Sequence, residues 1–189
     1  MINIFDYIKD CLRNPQFRRY WEEEMNDFGT TIFTEEIDDN DDVLDIIVYG
    51  KLNPRTKKDV DNIALKRGLT KKSGRVVTEI DLFEKNGNCP VDEFLDSFKD
   101  EQLRAKTLKN IVSLAIEGSN SRPPLSKYVG DGLFELRTKS GNNIDRIFYF
   151  FVFGNKIIMT NGYIKKSQKI DDLEFEKAKK YRDEYFKWH

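Results

Sequence analysis

The sequence predicts an α+β fold, and three observations carry that expectation. Four stretches (76–83, 133–139, 146–153 and 156–164) are β-branched, aromatic or alternating in the manner of strands. Two helical stripes fall between the first and second of these, and a third stripe closes the chain. The order over residues 75–189 is therefore β-α-α-β-β-β-α, behind a mainly helical extension formed by residues 1–74.

In the extension, Ile4, Phe5, Ile8 and Leu12 fall on one helical stripe. Pro15 interrupts it, with Asn14 placed to cap a second short helix through Phe17, Tyr20 and Trp21. The run 34–42 is too charged to be buried, and 43–49 suits a strand or a short helix. Asn53-Pro54 is a break, and 56–67 reads as a helix stopped by Gly68. Lys71-Lys72-Ser73-Gly74 reads as a linker, which puts a boundary at residue 74.

From Arg75 the pattern is cleaner. The first strand ends in an Asn86-Gly87 turn. Pro90 suits a first helical position, followed by Val91, Phe94, Leu95 and Phe98 on one face. Asp100 caps a second helix carrying Leu103, Leu108, Ile111, Val112 and Leu114, closed by Gly118. Residues 119–124 read as loop. In the next strand Phe134 and Leu136 alternate with Glu135 and Arg137. The strand 146–153 is nearly all apolar, as a central strand covered on both faces is. Gly154-Asn155 is a hairpin signal leading into 156–164. Asp171, with Glu174 three residues on, starts a last helix whose stripe is Phe175, Ala178, Tyr181, Tyr185 and Trp188.

A formal net charge of −1 hides a strong segregation. Residues 1–50 hold four basic and thirteen acidic side chains, while 51–74 hold eight basic and two acidic. Within the second half, 127–169 carries eight basic and three acidic residues. Such asymmetry suits a contact between an acidic and a basic part, or a solvated acidic loop. The longest apolar run is too short to span a bilayer, and the start lacks the pattern of a signal peptide, so a cytoplasmic protein is expected. Cys11 and Cys89 have no metal-ligand spacing and suit free thiols. Asp38, Asn40 and Asp42 begin like a calcium loop, but Val43 and Tyr49 stand where glycine and glutamate are needed. No phosphate-loop glycines and no zinc set are visible, so neither a cofactor nor a metal is expected.

The β-α-α-β-β-β-α order holds four tracts at fixed places: 86–95 (NGNCPVDEFL), 132–137 (GLFELR), 145–149 (DRIFY) and 162–169 (GYIKKSQK). Together they resemble the HigB-like, phage-derived branch of the RelE/ParE toxin superfamily, over about three-fifths of the chain. The resemblance implies a twisted antiparallel sheet with helices packed on one side and an RNase site on the exposed concave face. It implies a toxin of a type II toxin-antitoxin system: an endoribonuclease that cleaves mRNA on the ribosome and inhibits translation. In the extension, 5–24 resembles the helix that precedes the helix-turn-helix of HigA-type antitoxins and 65–70 the turn within it, without the recognition helix. A cognate HigA-like antitoxin, or the chain's own N-terminal segment, is then the expected neutralising partner, with the acidic stretch 34–45 shielding a basic site; the other reading makes the extension a docking module for the ribosome or another partner.

RNA cleavage without a metal needs a base for the 2′-hydroxyl, positive charge for the phosphorane and an acid for the leaving 5′-oxygen. His189, at the terminus, is the only histidine. Lys, Arg and Tyr must therefore do this work, as the resemblance implies. Arg137 alternates away from Phe134 and Leu136 and can hold a phosphate, or else pair with Glu135. Arg146 opens the most apolar strand, as a phosphate ligand or a cap on the sheet. Lys165, Lys166 and Lys169 can clamp RNA as a mobile basic segment or form a solvated loop, and a lysine serves as acid or base where its pKa is lowered. Tyr149 and Tyr163 can stack on a base, donate a proton or simply pack in the core. Lys127, with Tyr128 and Arg122, extends the path. The expected catalytic set is Arg137, Arg146, Lys166 and Tyr149, with Lys127, Lys165, Lys169 and Tyr163 binding RNA. The alternatives are a ParE-like inhibitor that binds DNA gyrase and a catalytically dead regulatory scaffold.

Overall fold

The structure, a computed structural model, describes residues 1–27, 31–37, 43–49, 78–152, 156–165 and 170–188. The chain opens with a two-residue strand β1 (Ile2–Asn3), then α1 (Ile4–Leu12) and α2 (Pro15–Asp27). The break between the helices lies where Pro15 requires it. The Asn14 side chain caps α2 by accepting from the backbone of Gln16 (2.9 Å) and Phe17 (3.3 Å). Strands β2 (Thr31–Ile37) and β3 (Val43–Tyr49) pair as an antiparallel hairpin, so part of the charged run is a strand. The helix expected at 56–67, the linker, the boundary at 74 and the Gly154-Asn155 turn lie outside the described residues.

Next come β4 (Glu79–Leu82), α3 (Pro90–Asp96) and α4 (Glu101–Glu117). The Asn86-Gly87 turn forms as expected, both residues with positive φ, and Pro90 starts α3. Asp100 caps α4 by accepting from Gln102 and Leu103, and Gly118 ends that helix at φ 56°. Four strands follow: β5 (Ser126–Gly130), β6 (Leu133–Ser140), β7 (Asn143–Val152) and β8 (Lys156–Ile164), and α5 (Asp172–Trp188) closes the chain. Strand β5 is one more than expected. It is a five-residue edge strand with a bulge before Gly130, and its exposed Lys127 and Tyr128 interrupt any alternation. Asp171 caps α5, but Glu174 turns away from the capping box to bond Asn161 and Lys177.

The six-stranded sheet runs β1-β4-β8-β7-β6-β5, which confirms the α+β class. Two features differ from the expected layering. Strand β4 lies parallel to β8, because α3 and α4 form a crossover and no hairpin constrains β4 to run the other way. Helices also cover both faces of the sheet. On one face Leu136, Ile147, Tyr149 and Ile157 pack with Leu95, Leu108 and Ile111 of α3 and α4, and with Ile4, Ile8, Phe17 and Trp21 of the first two helices. On the other, Leu133, Phe148, Phe150 and Ile158 pack with Ala178 and Tyr185 of α5. The reason is in β7, whose consecutive residues Ile147, Phe148, Tyr149 and Phe150 are all buried, so both faces need cover. The stripe on α5 stops short of its end, and Trp188 is exposed.

Residues from 1–25 and from 80–159 thus share one core. Strand β1 pairs with β4, and the Tyr7 hydroxyl donates to Asp96 (2.8 Å) while accepting from Arg104, which also reaches Asp96. Among the described residues no helix is long and apolar enough to cross a membrane.

Candidate functional site

Cross-strand partners share a face of a sheet, and so do residues two apart on one strand. Strand register therefore places a basic array on the α5 side. Lys127 of β5 stands opposite Glu135 of β6, Arg137 of β6 opposite Arg146 of β7, Arg146 opposite Tyr163 of β8, and Lys139 opposite Ile144. Lys165, whose backbone N–H donates to Ile144 (2.7 Å), continues the Ile144 row past the end of β8. Five cations, from β5, β6, β7 and the segment after β8, thus share a face of the sheet with one carboxylate.

Glu135 is that carboxylate, and its side chain is only 1% exposed. Its Oε1 accepts from Arg137 Nε at 2.7 Å and lies 3.6 Å from Arg146 Nε. Arg146 is buried and donates through Nη1 to the carbonyls of Asp145 (2.7 Å) and Thr138 (3.5 Å). Arg137 is more open, its side chain 27% exposed, so it is the guanidinium that a ligand can reach. Both roles expected of Arg137 are compatible. It pairs with Glu135, and that pairing fixes its fork in place.

Three buried polar atoms of this cluster, Glu135 Oε2, Arg146 Nε and Tyr163 Oη, have no hydrogen-bond partner among the described residues. Buried polar atoms are rarely left so, and a group of them singles this cluster out as a candidate site. Burial pushes the Lys165 ammonium below its ordinary range, and Arg146, Arg137 and Lys127 push the same way against Glu135. Burial likewise lowers Arg146 and raises Tyr163.

Of the residues named from sequence, Lys127, Arg137, Arg146, Tyr163 and Lys165 come together. Tyr149 does not join them. It is buried on the opposite face, where its hydroxyl bonds that of Ser126 and burial pushes it up to about 12. Arg122 spends its guanidinium on the carbonyls of Ser119 and Ser121. Tyr128 is exposed, its ring edge against Phe134. Lys166, Lys169 and His189 lie outside the described residues. Sequence reading missed Lys139 and the central role of Glu135. The alternation 135, 137, 139 would have found both. Among the described residues no group of His, Cys, Asp or Glu is placed to hold a metal ion.

A groove of about 470 Å³ opens where β5 leaves the edge of β6. Its walls come from α4, from Pro124-Leu125 and from β6, and it extends to Arg137 and Arg146. Asn110 of α4 holds the two walls together by donating to the Arg137 carbonyl (3.3 Å) and Thr138 Oγ1 (3.1 Å).

Fold and site together define an α+β protein whose sheet presents a preorganised cluster of cations at one end. Residues 93–183, just under half of the chain, match the model of a family described as phage derived protein Gp49-like, a toxin-related family. The matched segment runs from α3 into α5 and contains every described residue of the cluster. No curated protein matches the chain.

Proposed function

We propose that the chain is a toxin-type endoribonuclease of a type II toxin-antitoxin system, cutting mRNA in the ribosome in the cytoplasm without a metal ion. The observation that carries this reading is the cluster at the end of the sheet: Arg137 and Arg146 held by a buried glutamate, beside a lysine of lowered pKa. Arg137 grips the scissile phosphate, and buried Arg146 beneath it adds positive potential for the phosphorane. Lys165, poised by its neighbours, takes the proton of the 2′-hydroxyl or returns one to the 5′-oxygen, with Lys166 beside it in sequence. Lys127, Lys139 and Lys169 bind the flanking backbone, and Tyr163 faces the same ligand. A HigA-like antitoxin or the acidic stretch 34–45 is the neutralising partner.

The test is expression of the full chain with mapping of transcript ends in arrested cells. Cuts within translated reading frames are expected. Arg137→Ala should slow cleavage roughly 100-fold while the fold survives, because it removes a contact strongest in the transition state. Unbroken transcripts with inhibited gyrase would replace this reading by the ParE-like one. A folded Arg137→Ala variant of full toxicity would remove the residue from the site.

A further inference from the structure

The groove between α4 and β6 holds one group that phosphate binding does not explain. Glu117, the last residue of α4, lines it, while Lys109, Lys139, Arg137 and Arg146 line the same space. A carboxylate there repels a phosphate chain. It also stands at the negative end of the α4 dipole, where an acid is disfavoured. No ion pair offsets it among the described residues, and Arg122, five residues on, is occupied by the Ser119 and Ser121 carbonyls. A carboxylate only accepts hydrogen bonds, so its natural ligand here is a neutral donor. Pro124 and Leu125 add an apolar wall, and the volume of about 470 Å³ is ample for a nucleotide.

We propose that this groove is a base-recognition pocket that takes a guanine next to the phosphate held by Arg137. Single-stranded RNA exposes the Watson–Crick edges of its bases to such pockets. Only guanine offers two adjacent donors on that edge, N1–H and N2–H, matching the two oxygens of a carboxylate. Adenine and cytosine place an acceptor beside their amino group, and uracil flanks its single N–H with carbonyls. Glu117 accepts from guanine, the Pro124-Leu125 wall supports the ring, and the exposed Lys139 stands at the groove for the adjoining phosphate. The pocket deepens the ribonuclease reading by assigning it a base preference, and it rests on that reading for its substrate.

Titration of the full chain with guanosine, adenosine, cytidine and uridine 3′-monophosphates tests this directly. The guanosine nucleotide should bind at least about tenfold more tightly than the other three, the scale of hydrogen bonds to a charged group. Glu117→Gln should abolish the preference and leave weak binding of all four, while Arg137→Ala should weaken all four alike. Equal binding of the four by the native chain, no binding of any, or a preference that survives Glu117→Gln would overturn the pocket. Transcript mapping separates the two proposals. Cuts with no guanine at a fixed position, and no nucleotide preference, sink the pocket and leave the ribonuclease. A guanosine preference in a chain that cuts no transcript keeps the pocket and sinks the ribonuclease.

Discussion

Glu135 and Asp145 are buried carboxylates on adjacent strands, each about 1% exposed, and they face opposite sides of the sheet. Glu135 is met by two guanidiniums. Asp145 receives one long hydroxyl bond on the α4 side, from Thr107 at 3.3 Å, and its Oδ1 has no partner among the described residues. Burial accordingly pushes Asp145 up to about 7, against Thr107, Thr138 and Arg146. The two faces are thus built differently. On the α5 side the chain has supplied cations to hold a charge away from water; on the α4 side the same kind of group meets mainly hydroxyl donors, and burial prevails over them.

The largest expected effect tests the compensated side. Arg146→Ala leaves Glu135 buried with a single cation, and breaking a buried pair in this way costs about 3–5 kcal/mol. Urea unfolding of the full chain at neutral pH measures it. A loss under about 1 kcal/mol would mean that Glu135 does not depend on Arg146.

Asp145 gives the next largest effect, of opposite sense. Its folded-state pKa, about 7, lies above its ordinary 3.8, so the folded chain binds the proton more tightly. The stability this gives is full below pH about 4 and is lost as pH rises through 7. Asp145→Asn mimics the protonated acid. The variant should match the native chain at low pH and exceed it above pH 7 by a few kcal/mol, since each tenfold gain in proton affinity is worth about 1.4 kcal/mol. Parallel pH–stability curves for the two proteins would refute the assignment.

Packing, with no charge involved, sets the third effect. Gly162 of β8 faces Phe94 of α3, and a Cβ there would fall 2.1 Å from the ring. Gly162→Ala should cost about 1–3 kcal/mol by overpacking. Phe94→Ala made with it should recover part of that loss.

Much of this contrast was legible in the sequence. Asn14, Asp100 and Pro90 mark their helix starts because capping is local chemistry, and Arg137 could be assigned to a face because alternation is local too. The unbroken apolar run in β7 announced cover on both faces, against the one-sided layering that the family resemblance implied. What stayed hidden was non-local. Nothing near Glu79 announces a parallel partner at Lys156, and the burial of Glu135 follows from register across three strands. The role of Ile4, Phe17 and Trp21 in the common core was hidden for the same reason, since an amphipathic stripe does not say which surface it meets.

Tyrosine supplies the smallest effect and the most direct comparison of the two faces. Tyr149 and Tyr163 read alike in the sequence, yet their hydroxyls lie on opposite sides of the sheet. Tyr149 Oη is bonded to the Ser126 hydroxyl beneath α4, while Tyr163 Oη lies by the cations and has no partner among the described residues. Removing the first should cost about 1 kcal/mol, the usual net value of such a bond. Cleavage by Tyr149→Phe should stay within about twofold of native, since no transition-state contact is lost. Tyr163→Phe should do the reverse. Stability should hardly move, because no hydrogen bond is broken, and cleavage should fall by about tenfold if the hydroxyl meets the substrate. Unfolding curves and cleavage rates for the two variants, measured side by side, make the comparison. A Tyr149→Phe protein that is stable but has lost cleavage would show that the chemical step, and not only base binding in the α4 groove, depends on Tyr149, and the division between the faces drawn from Glu135 and Asp145 would fail.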